Sequence, residues 1–163
     1  MKKLRILSLF LIILILPGCA FNEPEYIKNS TKPNNYFYTN EIYAKLKNNE
    51  KFTLEVFDTD VYKYYPVPED DYDVILSFIE SMHSENYHDE LTEDQKKLIP
   101  IYKINIKFDN SKFVMNVYNS NLATIYPWDG VFNEDIVSFE NVPSHFNPYE
   151  FCLYIENKAK ENK

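Results

Sequence analysis

The sequence is poor in the residues on which several large classes of protein depend. It contains only 2 glycines, 2 cysteines and a single arginine among its 163 residues. Two glycines cannot build the glycine-rich loop that holds nucleotide phosphates, and one arginine supplies no cluster of guanidinium groups for phosphate. Two cysteines exclude a disulfide framework and a cysteine-based zinc or iron–sulfur site. We therefore expect no cofactor and no nucleotide ligand.

The charge balance excludes a further class of ligand. The formal net charge is −8, with 25 acidic against 17 basic residues. A nucleic-acid-binding surface needs clustered lysine and arginine to neutralise phosphates, so we expect no nucleic-acid partner. Aromatic residues make up 17% of the chain, which is typical of a packed core and not of a disordered chain. The length is enough for one compact domain and a short appendage.

The first twenty residues have the composition of a targeting segment. Lys2, Lys3 and Arg5 precede an apolar run over residues 6–16 that only Ser8 interrupts. This run is shorter than the roughly 20 residues that a transmembrane helix needs. It is typical of the hydrophobic region of a secretory signal peptide.

Leu16-Pro17-Gly18-Cys19 resembles the lipobox of bacterial lipoproteins, although Pro17 departs from the small residue usual at its position. The resemblance implies that residues 1–18 are a signal peptide and that the Cys19 thiol carries a diacylglyceryl group. The membrane would then be a partner of the chain through that lipid. An ordinary secreted protein and an uncleaved anchor with an incidental cysteine are the alternatives.

Cleavage before Cys19 changes the composition of the chain. Lys2, Lys3 and Arg5 are lost, so the mature net charge becomes −11 and no arginine remains. Ala20 provides no acidic retention signal, and the composition, rich in Asn, Lys, Ile, Tyr and Phe, is typical of an AT-rich genome. We expect an extracytoplasmic location on the outer face of a Gram-positive cell membrane. Residues 19–35 are predicted to be the lipidated cysteine and a polar, flexible tether.

Residues 36–163 are predicted to form a single α+β domain. Helical patterns begin at Thr39, which is the predicted cap of a short helix, behind Glu69–Asp73 and at Asn147-Pro148. Strand patterns cover residues 52–56, 61–65, 102–108, 112–118, 122–126 and 136–139. We expect an antiparallel sheet of about five strands, with two main helices packed on one face in two layers.

Three segments of the mature chain resemble a clostridial family of lipoproteins of unknown function. They are Val114-Met115-Asn116-Val117-Tyr118-Asn119, Ile125-Tyr126-Pro127-Trp128-Asp129-Gly130, and Asn147-Pro148-Tyr149 leading into Phe151-Cys152. The resemblance covers most of residues 36–155. It implies a shared location and fold and transfers no activity.

The segment Tyr126–Gly130 is the leading candidate for a binding site. It holds the single tryptophan, Trp128, beside Asp129, and Gly130 is the one glycine of the mature chain. An aromatic ring on a loop can stack on a sugar or anchor a protein partner. The structural alternative is a tight turn with Trp128 folded back over the sheet. Tyr62 and Tyr64 are expected on one strand face as an extension of this surface, or else as ordinary sheet residues.

The remaining candidates have a weaker basis in the sequence. His83 and His88 lie near Glu85, Asp89 and Glu90, but their spacing matches no zinc signature. Calcium ligation by residues 58–60 or 69–73 lacks the ordered spacing of a calcium loop. Cys152 with His145 as its base is the nucleophile hypothesis, and the place of Cys152 on an apolar helix face favours a buried thiol. We expect no metal and no catalytic residue.

The sequence therefore predicts a membrane-anchored, non-enzymatic binding module with a protein or glycan partner at the cell envelope. An envelope-directed hydrolase that uses carboxylates is the first alternative, since any two of the acids can meet in space. An accessory structural lipoprotein of an envelope complex is the second.

Overall fold

The structure is a computed structural model that describes residues 31–161. The predicted signal peptide, Cys19 and most of the predicted tether lie outside the described residues. The helices are α1 (Phe37–Lys47), α2 (Asp73–Glu80) and α3 (Pro148–Glu161). The strands are β1 (Phe52–Asp58), β2 (Lys63–Pro66), β3 (Tyr87–His88), β4 (Tyr102–Phe108), β5 (Lys112–Asn119), β6 (Leu122–Pro127) and β7 (Asp135–Ser138). Short 3₁₀ turns occupy Glu69–Asp71, Ser84–Asn86, Gln95–Lys97 and Ser144–Phe146.

All strands join one antiparallel sheet in the order β2-β1-β4-β5-β6-β7-β3. The α+β class and the antiparallel pairing are confirmed, but the sheet has seven strands and not about five. The strand that the sequence pattern missed is β3, which pairs with β7 at the sheet edge. Two residues are too few to show the alternation of polar and apolar side chains by which a strand is recognised.

The three helices pack on one face of the sheet, which we call the inner face. Its central rows are apolar and buried, and α1 contacts β6 and β7 while α3 contacts β2, β4 and β5. Helix α2 contacts both other helices. The two-layer arrangement is therefore present, with three helices where two main ones were expected. Between residues 31 and 161, no helix is both long and apolar enough to cross a membrane.

Helix α1 begins two residues before the predicted cap. Thr39 is its third residue and is buried, so the prediction that Thr39 caps the helix is wrong. The cap comes from another part of the chain: Asp135 Oδ2 accepts hydrogen bonds from the Thr39 backbone N–H at 2.7 Å and from Thr39 Oγ1 at 2.8 Å. A carboxylate at a helix N-terminus satisfies free N–H groups and is favoured by the helix dipole.

Helix α3 begins as the sequence predicts. Asn147 Oδ1 accepts the backbone N–H of Tyr149 at 2.9 Å, and Pro148 occupies the first helical position. Toward the other end, Lys158 Nζ pairs with Asp71 Oδ2 at 2.7 Å, which ties α3 to the turn before α2. The acids at residues 69–73 lie in this turn and at the start of α2, as expected.

The opposite side of the sheet, which we call the outer face, carries a second set of side chains. In β5 and β6 the residues that alternate with the core are paired as Val114 with Tyr126 and Asn116 with Thr124. Val114, Asn116 and Thr124 are buried but do not belong to the core under the helices. The outer face therefore has its own, partly polar packing, and it positions the candidate site.

Candidate functional site

An open groove of 520 Å³ lies on the outer face where β5, β6 and the start of β7 meet. The groove is lined by Asn116, Tyr126, Pro127, Trp128, Gly130, Phe132, Asn133 and Glu134. Four of these residues belong to the predicted binding segment Tyr126–Gly130, and two of the four, Tyr126 and Trp128, carry large aromatic side chains.

The residues Pro127 to Gly130 form a tight turn, as predicted. The Gly130 N–H donates to the Pro127 carbonyl at 3.2 Å, and the Trp128 N–H donates to the Lys112 carbonyl at 2.8 Å. The second bond continues the pairing of β5 with β6 beyond Pro127 and fixes the backbone that carries Trp128. The indole is not folded back over the sheet, since Trp128 is 74% exposed.

Helix α1 holds the loop that follows this turn. The Tyr38 hydroxyl accepts the Phe132 N–H at 2.8 Å and donates to the Phe132 carbonyl at 3.2 Å. The Phe37 ring packs edge-on against the Phe132 ring, with 5.3 Å between centroids. A Cβ atom at Gly130 would lie 2.9 Å from both Pro127 Cγ and the Tyr38 hydroxyl, so the turn approaches the helix too closely for a larger residue. Trp128 is therefore presented by a supported loop.

Asn116 forms a polar floor in the groove. The residue is only 9% exposed, and its Nδ2 donates a long bond of 3.5 Å to Thr124 Oγ1. Its Oδ1 has no hydrogen-bond partner among the described residues. The Tyr118 hydroxyl lies 3.5 Å from Thr124 Oγ1, and burial raises the pKa of Tyr118, with the negative charge of Glu134 adding to that rise. A buried acceptor without a donor is costly, and Asn116 Oδ1 is such an acceptor, enclosed by the protein.

Charges of both signs flank the groove. Lys112 Nζ lies over the Trp128 ring at 4.8 Å from its centroid, and Glu134 is one of the residues that line the groove. A cation over the indole is attracted to the ring and helps to orient it. Asp129 occupies the tip of the turn, is exposed and does not line the groove.

The predicted tyrosines form a separate aromatic patch. The Phe57 ring lies 6.2 Å from that of Tyr62 and 4.5 Å from that of Tyr64. The sequence predicted Tyr62 on a strand, but the residue lies in the turn before β2, with a φ of 52°. The tyrosines are 83% and 56% exposed, and because β2 lies four strands from β6, about 19 Å separates them from β6, the strand that leads to Trp128. The structure does not bring Tyr62 and Tyr64 together with Trp128.

The weaker candidates do not assemble into a reactive site. His83 and His88 are both exposed, and no three His, Cys, Asp or Glu side chains in residues 31–161 approach closely enough to hold a metal ion. Asp58 Oδ1 accepts the backbone N–H groups of Asp60 and Val61, which gives it a role in the β1–β2 turn.

Cys152 is fully buried on α3, whereas His145 is exposed in the turn that precedes the helix. Burial raises the pKa of the Cys152 thiol well above its usual range. A thiol in this environment is a poor nucleophile, because the reactive thiolate is disfavoured.

Four residues that line the groove were not selected from the sequence: Asn116, Phe132, Asn133 and Glu134. Lys112, whose Nζ lies over the Trp128 ring, was not selected either. Asn116 lies within one of the segments that carry the clostridial resemblance, and it falls on the strand face that alternates with the core. That alternation was the available signal for Asn116. Glu134 and Lys112 reach the groove only through strand pairing, which the sequence alone does not establish.

Comparison with known proteins places the chain in a family. The model of a family described as "Domain of unknown function (DUF4883)" matches residues 32–152. The crystal structure of a putative lipoprotein from Clostridium perfringens is similar, with a TM-score of 0.67 and 26% sequence identity, over 78% of this chain and 99% of that chain. No curated protein matches the chain. The clostridial family expected from the sequence is confirmed.

Proposed function

The chain belongs to the family described as domain of unknown function DUF4883, and from this premise we propose that it is an extracytoplasmic lipoprotein whose domain is a non-enzymatic binding module. The location is supported by the lipobox-like segment at Cys19 and by the similarity to a putative clostridial lipoprotein. Twelve peptide units connect Cys19 to Thr31, which allows a reach of at most about 40 Å. The groove would then work close to the membrane surface.

The observation that carries the binding role is the exposure of Trp128 beside the groove. Trp128 is 74% exposed on a loop that Tyr38 holds in place. Its indole can therefore bury a large apolar area when a partner binds. Tryptophan is among the residues that dominate binding energy at interfaces. We place the partner, a protein or a glycan, in the cell envelope.

The test compares binding of the full chain to envelope fragments. The detergent-solubilised protein is mixed with sedimented cell-envelope material, and the bound fraction is measured against protein concentration. We expect saturable binding that Trp128→Ala weakens about thirtyfold or more, since losing a central aromatic anchor costs about 2 kcal/mol or more. Tyr154→Ala is the matched control, because Tyr154 is an exposed aromatic residue on the helical side of the domain. Equal binding by wild type and Trp128→Ala would refute the proposal.

A further inference from the structure

We propose that one corner of the domain, at the β2 edge of the sheet, is a second membrane contact whose exposed apolar side chains enter the headgroup region of the bilayer. We call this surface the apolar corner, and its residues are Val61, Tyr62, Tyr64, Leu98 and Ile99. The inference rests on the proposed attachment of the chain to the membrane through Cys19. It does not depend on the binding role of Trp128.

The apolar corner holds most of the exposed apolar side chains of the domain. Eight large apolar or aromatic residues between residues 31 and 161 are strongly exposed, and five of them belong to the apolar corner. Val61 is 61% exposed and Ile99 is 80% exposed. Single exposed apolar residues are common on protein surfaces, whereas a group of them marks a site of contact with a protein or a membrane.

Hydrogen bonds hold the two loops of the apolar corner side by side. Thr59, in the turn between β1 and β2, donates from its Oγ1 to the Pro100 carbonyl at 2.6 Å. Its backbone N–H donates to the Ile101 carbonyl at 3.0 Å. Because Pro100 directly follows Ile99, the loop that carries Ile99 lies beside the turn that carries Tyr62.

Tyr62 occupies a backbone position that does not favour tyrosine. Its φ of 52° lies in the left-handed region, which glycine adopts at a lower cost. The ring lies 6.2 Å from that of Phe57 but remains 83% exposed, so it gains little from packing within the domain. Contact with a partner would supply the apolar burial that the fold does not.

The composition of the apolar corner fits the surface of a bilayer. Aliphatic side chains insert there, and tyrosine places its ring in apolar surroundings and its hydroxyl among the headgroups. Lys96 and Lys97, which directly precede Leu98, pair with Glu93 at 2.7 Å and with Asp94 at 2.9 Å. These four side chains therefore bring no net charge to the membrane, and insertion should not require anionic lipid.

The predicted tether keeps the bilayer within reach of the apolar corner. The described chain begins at Thr31, and Lys32 is held at the start of β7 by Asp135. Five strand steps, about 24 Å, separate β7 from β2. The twelve peptide units from Cys19 to Thr31 allow at most about 40 Å. The anchor thus supplies an apolar partner at a high effective concentration.

This orientation leaves the Trp128 groove accessible. Asp58 pairs with Lys63 at one end of the sheet, whereas Phe113 pairs with Pro127 at the other end. The groove also lies near β6, four strands from β2. The apolar corner and the groove can therefore contact the bilayer and an envelope partner at the same time.

The experiment places the lipid-anchored full chain in phosphatidylcholine vesicles whose acyl chains carry bromine, a quencher of any indole that enters the bilayer. Unbrominated vesicles give the reference intensity. Ile99→Trp combined with Trp128→Phe moves the single tryptophan of the chain to the apolar corner. We expect this indole to lose about half of its emission or more, because interfacial side chains reach about 5–10 Å into the headgroup and acyl boundary. Trp128 of the wild type should not be quenched.

Two exposed valines provide a matched pair of variants in the chain that carries Ile99→Trp and Trp128→Phe. Val61→Asp should reduce the quenching about twofold or more, because a carboxylate opposes insertion. Val131→Asp adds the same charge near the groove, at a valine that is 59% exposed, and should leave the quenching unchanged. Circular dichroism checks that the variants are folded, and all three substituted apolar sites lie outside the core.

An unquenched indole at position 99 overturns the inference, and so does equal quenching at positions 99 and 128. If the indole is unquenched and ultracentrifugation shows a dimer that Val61→Asp dissociates, a second copy of the chain covers the apolar corner instead. These outcomes leave the Trp128-dependent binding to envelope fragments untouched, so the two proposals fail separately. Release of the wild type from the vesicles would refute the anchor and this inference together.

Discussion

At the scale of single residues, Asp135 connects three parts of the domain. It is completely buried, pairs with Lys32 Nζ at 2.7 Å and accepts two hydrogen bonds from Thr39. It therefore caps α1 and holds the first described residues of the chain against the start of β7. Asp135 follows Glu134 directly, so its position also sets one wall of the groove. The sequence shows only an acid before a strand, because none of these partners is near it in the chain.

Replacing Asp135 should destabilise the domain strongly. Asp135→Ala leaves Lys32 without its carboxylate and two donors of Thr39 without an acceptor, and we expect the free energy of unfolding to fall by about 3 kcal/mol. Urea denaturation followed by circular dichroism measures the change. Asp129→Ala, which removes an exposed acid from the neighbouring loop, should change it by less than about 0.5 kcal/mol. Equal effects of the two substitutions would contradict the role assigned to Asp135.

Gly130 is required for close approach and not for an unusual backbone conformation. Its φ is not positive, but a Cβ atom would lie 2.9 Å from Pro127 Cγ and from the Tyr38 hydroxyl. Gly130→Ala should therefore displace the loop from α1, lower the free energy of unfolding by about 1–2 kcal/mol and alter the Trp128 emission. Thermal unfolding and fluorescence measure the two effects. Val131→Ala, at an exposed site one residue later, should be nearly neutral, and a neutral Gly130→Ala would show that the turn tolerates the contact.

At the scale of elements, local signals predicted most of the fold. The strand pattern at residues 102–108 matches β4 exactly, and the cap at Asn147 places the start of α3 correctly. Thr92 and Gln95, three residues apart, exchange the reciprocal hydrogen bonds of a capping box, which is also a local sequence signal. The predictions that failed concern contacts between residues far apart in the chain. The cap of α1 comes from Asp135 at the start of β7, and β3 forms by pairing with β7 at the sheet edge. The separation of Trp128 from Tyr62 likewise depends on strand order, which local patterns do not determine.

Glu156 links α3 to the sheet and should make stability depend on pH. Its carboxylate accepts a hydrogen bond from Lys160 and one of 2.7 Å from the Tyr102 hydroxyl, and these bonds lower the pKa of Glu156. A lowered pKa means that folding favours the ionised form. The stabilisation is therefore present above the pKa of the unfolded chain and is lost as the pH falls through the folded value.

Glu156→Gln should consequently lower the free energy of unfolding by about 1 kcal/mol at pH 7 and by much less near pH 3. Urea denaturation across this pH range checks the expectation. Glu41→Gln, at an exposed position of α1, serves as the control and should show no such dependence. A Glu156→Gln effect that is the same at both pH values would mean that packing, and not the charge, is responsible.

At the scale of the whole molecule, the two cysteines are predicted to have different fates. Cys152 is buried in α3 with a raised pKa, so it is chemically protected in the folded protein. Cys19 precedes the domain by a short polar segment and follows the lipobox-like sequence. Cys152 is thus part of the core, and Cys19, by our proposal, carries the lipid that attaches the protein to the membrane.

The two cysteines allow a matched test of the lipid anchor. Cells that express the full chain are fed labelled palmitate, and the protein is recovered from membrane and soluble fractions. We expect the wild type and Cys152→Ser to carry the label and to remain in the membrane fraction, because two acyl chains on one residue give stable attachment where one chain is marginal. Cys19→Ser should lose the label and keep its signal segment uncleaved, which adds about 2 kDa to the electrophoretic mass through its eighteen residues. Label on Cys19→Ser, or its absence from the wild type, would show that the attachment is not at Cys19.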